Sequence, residues 1–225
     1  MLTSALRTQS SQTPTPAVPR AGDAIGLLQV PAVVVMAERD TELVAQGGPS
    51  GFCYHVLSGC VRTVCLLEDG RRQIGEFLFA GDVLETDPMY GAEAVTAVTL
   101  RRIPRVLIEE RAGMDATFAA RLRMHAADQV RAARSRCLLL GRKTAVERVA
   151  SFLLEMAGRC ESRPEEAIAL PMSRTDIADY LGLTTETVCR VLTEMRRTGL
   201  IRVQRGAIAI LSDAALSRAA AEWLH

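Results

Sequence analysis

The hydrophobic pattern divides the chain into stretches of different period. From residue 22 to about 106, short apolar runs are broken by Gly and Asp, as in "GDAIGLL", "AVVVMAERD", "CYHVLSGCVRTVCLLEDGRRQIGEFLFAGDVLE" and "EAVTAVTLRRIP". The turn signals "LSG", "EDG" and "AGD" recur at spacings suited to antiparallel strands. This stretch predicts an all-β module, a small barrel or jelly roll. Residues 1–21 precede it with Ser, Thr, Gln and Pro and no apolar period, the composition of a flexible tail.

From 107 to 141 the period becomes helical. Apolar or small residues fall three or four apart at Met114, Phe118, Leu122, Ala126, Val130, Ala133, Cys137 and Leu140. A long helix with such a stripe has two uses: packing against a second copy of itself, or covering the chain's own β module. The pattern alone leaves both open. A second helix, "TAVERVASFLLEMAG", follows Gly141 and ends at Gly158.

The remainder of 142–225 is denser in signals. Ser173 is placed to cap a helix, with Asp176 three residues on, a weaker form of the capping box. Gly182 ends that helix after Leu181, and Thr184 caps the next, which runs to Gly199. "LIRV" and "AIAIL" around "QRG" read as a two-strand hairpin. Helix, tight turn, helix and hairpin outline a winged helix-turn-helix. Each position has its own steric reason. Ala178 is small where the helices cross and Gly182 supplies a positive φ, while Val188 meets Ile177, Leu181, Leu183 and Leu192 in a small core.

That arrangement turns Thr185, Glu186, Cys189 and Arg190 outward at the start of the second helix. Arg donates two hydrogen bonds to guanine O6 and N7, and Glu accepts from cytosine N4. The N-terminal residues of such a helix are the ones that reach base edges. Glu186 four residues before Arg190 predicts an ion pair that orients the guanidinium. Ser173, Arg174, Thr175, Thr187, Arg196, Arg197, Arg202 and Arg205 occupy positions suited to phosphate contacts.

Composition adds bounds. The chain has 225 residues, 48% of them hydrophobic, and a formal net charge of +1, so a nucleic-acid partner has to be argued from local patches. No apolar run reaches membrane-spanning length, and the first residues lack a secretory core and cleavage site, which predicts a cytoplasmic protein. The six cysteines, Cys53, Cys60, Cys65, Cys137, Cys160 and Cys189, form no C-x-x-C pair and are expected as free thiols.

With these residues in view, "LPMSRTDIADYLGLTTETVCRVLTEMRRTGLI" resembles the helix-turn-helix of the CRP/FNR superfamily of transcription regulators, and most closely its FixK-type branch. The similarity extends more loosely over residues 22–215. It implies an α+β chain: an N-terminal β-roll of the cyclic-nucleotide-binding, jelly-roll type (22–106), a dimerisation helix (107–141) and a C-terminal winged helix-turn-helix (142–225). It further implies a homodimer that pairs through the long helix, binds an inverted repeat on double-stranded DNA and recruits RNA polymerase. In FNR-type proteins an E-x-x-S-R motif reads half-sites of the TTGAT type. Here it stands as Glu186-Thr187-Val188-Cys189-Arg190, with Cys189 in the Ser position as in FixK-type regulators. Those are implied to activate genes for low-oxygen respiration or nitrogen fixation.

The β-roll departs from the ligand-binding branches. No cysteine precedes Cys53, which leaves too little thiolate for an N-terminal iron–sulfur cluster. The stretch "GDVLETDPMYGAEAVTAV" contains no basic residue to neutralise a cyclic phosphate. Cys53, His55, Cys60 and Cys65 gather around a predicted hairpin, where pairing across "LSG" brings Cys53 toward Cys65. The same residues also read as small core hydrophobes, and no metal is assigned. His125 and His225 have no thiol to serve as catalytic partners, so no enzyme is expected. The expectation is a cofactor-free regulator that binds DNA in its basal state and is inactivated by oxidation of Cys189, since a helix N-terminus and a neighbouring Arg favour the thiolate. The alternative is a haem- or small-ligand-gated sensor on the same scaffold.

Overall fold

The computed structural model describes residues 25–48, 51–160 and 167–221, so the expected tail lies outside the described residues. Two four-stranded antiparallel sheets build the N-terminal module. One runs β1 (Val33–Ala37), β8 (Val98–Pro104), β3 (Phe52–Ser58), β6 (Val83–Glu85); the other runs β2 (Glu42–Val44), β7 (Gly91–Ala94), β4 (Cys60–Leu66), β5 (Arg72–Phe79). Strand alternation sends Val56, Leu84, Val98 and Leu100 from the first sheet to meet Val61, Leu78, Ala92 and Ala94 from the second. This is the jelly roll the pattern predicts.

The expected pairing across "LSG" does not occur. Ser58 and Gly59 hand the chain from one sheet to the other, so β3 pairs with β6 and β8 while β4 pairs with β5 and β7. Gly59 makes this possible with φ of 87°, and any Cβ there would collide with the Ala97 carbonyl. Cys53 therefore faces Glu85 and Ile103, and Cys65 faces Gln73, on different sheets. Cys53 and Cys60 are buried, and burial pushes both thiols up to about 12.

The single helix expected over 107–141 is two helices, α1 (Arg105–Met114) and α2 (Ala116–Arg142). Asp115 between them is extended, and its carboxylate accepts from the Thr117 and Phe118 amides at 3.0 Å each. An N-cap satisfies the orphan donors of a new helix and so starts one there. Met114 thus ends α1 and stands outside the long helix. Phe118 is fully buried with Ile25, Leu27, Ile103 and Ile108, and Leu122 packs against the same cluster. The reading in which the stripe covers the chain's own β module holds for its first part. The first turns cover the β module, whereas Ala126, Val130, Ala133 and Cys137 are exposed and Leu140 is half-buried.

α3 (Ala145–Cys160) follows a two-residue break at Lys143 and Thr144, where Lys143 is extended. Then come β9 (Ala167–Ala169), α4 (Arg174–Leu181), α5 (Thr185–Arg197), β10 (Ile201–Gln204), β11 (Ala207–Ile210) and α6 (Asp213–Ala221). The wing has three strands in the order β10-β11-β9 rather than two. Val149, Phe152, Leu153, Met156, Ile177, Leu181, Val188 and Leu192 share one core. That core is continuous with the outward-facing Cys60, Val64, Ile74, Phe77 and Phe79 of β4 and β5, so this edge of the β-roll is buried on both faces.

Candidate nucleic-acid interface

The helix-turn-helix is held by local chemistry. Ser173 accepts from the Asp176 amide at 3.0 Å while Asp176 Oδ2 accepts from the Ser173 amide at 2.9 Å, a complete capping box. Gly182 adopts φ 61°, ψ 42° and ends α4, as its place in the sequence requires. Thr184 Oγ1 accepts from the Thr187 amide at 3.2 Å and starts α5, whose body ends two residues before Gly199. The Thr185 hydroxyl donates to that of Thr175 at 3.4 Å, tying the first turns of α4 and α5 together.

Val188, Val191, Leu192 and Met195 are buried along one face of α5, and Thr185, Glu186, Cys189 and Arg190 are exposed on the other. The ion pair expected between Glu186 and Arg190 is absent among the described residues; the ion pair on this helix joins Arg197 to Glu194 at 2.6 Å. An exposed pair at this spacing is worth only about 0.3–0.5 kcal/mol, too little to immobilise two long side chains. Both groups are left available to a partner. Arg174 is half-buried, and burial lowers its pKa while the Cys189 sulfur acts to raise it. Ser173, Thr175, Arg196, Arg202 and Arg205 are exposed around this face, with Arg205 at the wing turn, and Thr187 is half-buried.

Several residues that position the interface went unnoticed in the sequence. Arg148 of α3 donates to the Leu140 carbonyl at 2.8 Å, to Lys143 at 2.9 Å and to Leu181 at 2.9 Å. It thereby fills the orphan acceptors at the ends of α2 and α4. Tyr180 of α4 is buried against Phe77 and Phe152, with the Arg136 guanidinium 4.0 Å above its ring. Its hydroxyl accepts from Arg136 at 2.5 Å and donates to Glu155 at 3.0 Å. Burial, followed by the Glu155 charge, raises the phenol far above its ordinary value. The contacts of Arg148 with Leu181 and of Arg136 with Tyr180 span 33 and 44 positions and leave no local signal in the sequence.

A recess of about 660 Å³ lies between α2 and the β-roll and is lined by Glu76, Tyr90, Arg105, His125, Gln129 and Arg136 among others. Burial raises the Glu76 pKa, with Arg136 opposing it. The β6–β7 stretch contains no Lys or Arg, but Arg105 of α1 and Arg136 of α2 both line the recess. Among the described residues no group of three His, Cys, Asp or Glu is placed to hold a metal ion.

Comparison with known proteins accounts for both halves of this architecture. The model of the Crp-like helix-turn-helix domain matches residues 147–219, and that of the cyclic nucleotide-binding domain matches residues 34–111. The chain is 39% identical over 201 residues to the nitrogen fixation regulation protein FixK of Azorhizobium caulinodans, covering 86% of this chain and 80% of that one. It is 37% identical over 182 residues to FixK of Rhizobium meliloti, covering 77% and 80%. The solved structure of FixK2 from Bradyrhizobium japonicum superposes with a TM-score of 0.80 at 39% identity, over 85% of this chain and 98% of that one. A CooA mutant from Carboxydothermus hydrogenoformans shares the fold, with a TM-score of 0.74 at 20% identity and coverage of 84% and 88%. These similarities, joined to a β-roll and an exposed polar face on α5, establish that the chain belongs to the CRP/FNR family of transcription regulators, as a FixK-like member with that family's helix-turn-helix DNA-binding domain.

Proposed function

We propose that the protein is a homodimeric transcription activator that binds an inverted repeat of TTGAT-type half-sites on double-stranded DNA and recruits RNA polymerase. The observation that carries this reading is the division of α5 into a buried apolar face and an exposed face of Thr185, Glu186, Cys189 and Arg190. In the major groove Arg190 donates to guanine O6 and N7, Glu186 accepts from cytosine N4, and Thr185 and Cys189 flank them. Ser173, Arg174, Thr175, Thr187, Arg196 and Arg202 meet the sugar-phosphate backbone. The exposed part of α2, from Ala126 to Cys137, pairs two copies so that each presents one α5 to its half-site.

The naming of these relatives as nitrogen fixation regulation proteins supports target genes of that kind. Among the described residues no helix is long and apolar enough to cross a membrane. Binding needs no iron–sulfur cluster or cyclic nucleotide, and oxidation of the exposed Cys189 adds bulk and negative charge facing phosphates. The test is a purified, reduced, ligand-free sample, which is expected to retard an inverted-repeat probe. Binding that arises only after a small molecule is added would refute this. The recess beside α2 favours a second reading, a ligand- or haem-gated regulator. An absorbance spectrum and metal analysis of the purified protein distinguish the two.

A further inference from the structure

The recognition unit is docked on the β-roll through a polar network that the functional reading leaves unused. Arg62 on β4 has a side chain only 12% exposed, and that of Asp176 on α4 is 4% exposed. Arg62 Nη1 donates to the Asp176 carboxylate at 3.2 and 3.3 Å, while its Nε and Nη2 donate to Glu93 at 2.9 and 2.7 Å. Asp40 stands 3.7 Å from the same guanidinium. Arg72 on β5 donates to Asp176 at 2.8 Å and, through Nε, to Asp179 at 2.8 Å. Asp176 is also the residue whose Oδ2 closes the capping box with Ser173. One buried carboxylate thus joins the first turn of the helix-turn-helix to two strands of the other module.

Its charge state agrees with that role. Burial works against the Asp176 carboxylate, but the Ser173 amide and hydroxyl together with Arg62 and Arg72 hold its pKa below the ordinary value. Charge-assisted bonds of this kind are directional. A buried ion pair is weak evidence for stability as such, because desolvation offsets much of the attraction, so fixing one orientation is the better use of it. α4 and α5 share one core with α3, and the chain enters that unit from α2 through the extended break at Lys143 and Thr144. Whatever sets the angle of α4 on β4 and β5 therefore sets the angle of the recognition helix.

We propose that Arg62 and Arg72 are positioning residues for DNA recognition: by clamping Asp176 and Asp179 they hold each recognition helix at one angle and so fix the half-site spacing the dimer accepts. This rests on the reading of the protein as a dimer on an inverted repeat. Each base pair added between half-sites displaces them by about 3.4 Å and rotates them by roughly a tenth of a turn. A rigidly held pair of helices tolerates neither change, whereas a loosened pair absorbs part of it.

The experiment measures the affinity of the full-length protein for inverted repeats with the optimal spacer and with spacers one base pair shorter and longer. Wild type is expected to show a sharp optimum. Arg72→Gln and the double variant Arg62→Gln/Arg72→Gln are expected to lose roughly three- to tenfold of the discrimination between the optimal and altered spacers. Asp179→Asn removes a partner of Arg72 without touching the capping box, and is expected to flatten the profile in the same way even where a Gln variant folds poorly. A purely structural role lowers affinity for all probes alike. Variants that are folded yet keep the wild-type spacing profile overturn the assignment. A wild type that binds no probe at any spacing overturns the functional reading itself, and this inference with it.

Discussion

In an Arg190→Ala variant the helix that bears the substitution is expected to stay intact. Arg190 is exposed on α5, which is anchored by Val188, Val191, Leu192 and Met195 on the opposite face and capped by Thr184. A surface change of this kind alters folding stability by no more than about 0.5 kcal/mol. Recognition bears the loss. One bidentate contact to guanine is worth about 1–3 kcal/mol. Two identical half-sites double that to about 2–6 kcal/mol, a weakening of roughly 30-fold to 10⁴-fold at 1.4 kcal/mol per decade. The assay is a titration of the dimer against the inverted repeat and against repeats altered at each base pair, at several salt concentrations. Preference is expected to collapse at the guanine read by Arg190, while the salt slope stays near that of wild type. Arg202→Ala, proposed to remove a phosphate contact from each protomer, is expected to do the reverse: uniform weakening and a slope smaller by about 2. If Arg190→Ala keeps the base preference of wild type at every position, the assignment of Arg190 to a base edge is refuted.

Other expectations concern the scaffold and its chemistry. Phe118→Ala is expected to cost about 3–5 kcal/mol of folding stability, independent of protein concentration, because the ring is buried in its own protomer; Val130→Glu, on the exposed part of α2, is expected instead to shift the monomer–dimer equilibrium in sedimentation. Cys189→Ser is expected to bind DNA like wild type and to resist peroxide, and equal loss of binding by both proteins under peroxide would refute the redox reading. On acidification, the stability due to Asp176, whose folded pKa is depressed, is present above 3.8 and is lost as pH falls through the lower folded value. Acid unfolding of Asp176→Asn is therefore expected to show a shallower limb below that pH. Glu76 acts with the opposite sign. Its raised pKa makes the charged form a burden above 4.5, so Glu76→Gln is expected to raise the thermal midpoint near neutral pH.

The sequence by itself determined what depends on neighbours three or four residues away. The Ser173 and Thr184 caps, the left-handed Gly182 and the buried stripe of α5 all follow from helix geometry acting within one or two turns, and the structure agrees with each. The Asp115 cap obeys the same rule and was legible in principle, but the unbroken apolar stripe over 107–141 masked it. Tertiary structure alone decided who covers each face. Periodicity states that Phe118 lies on an apolar side, not that its own β-roll buries it rather than a second copy. Strand alternation likewise sorts Cys53 and Cys65 into inward and outward positions without choosing their partners, so the sheet assignment overturned their expected proximity. The links that set the angle of the recognition helix are more distant still: Arg62 meets Asp176 across 114 positions, and Arg136 meets Tyr180 across 44. Such pairs leave no local trace, because a side chain that satisfies a carboxylate on another element constrains only the distance between the two, which exists once the chain has folded.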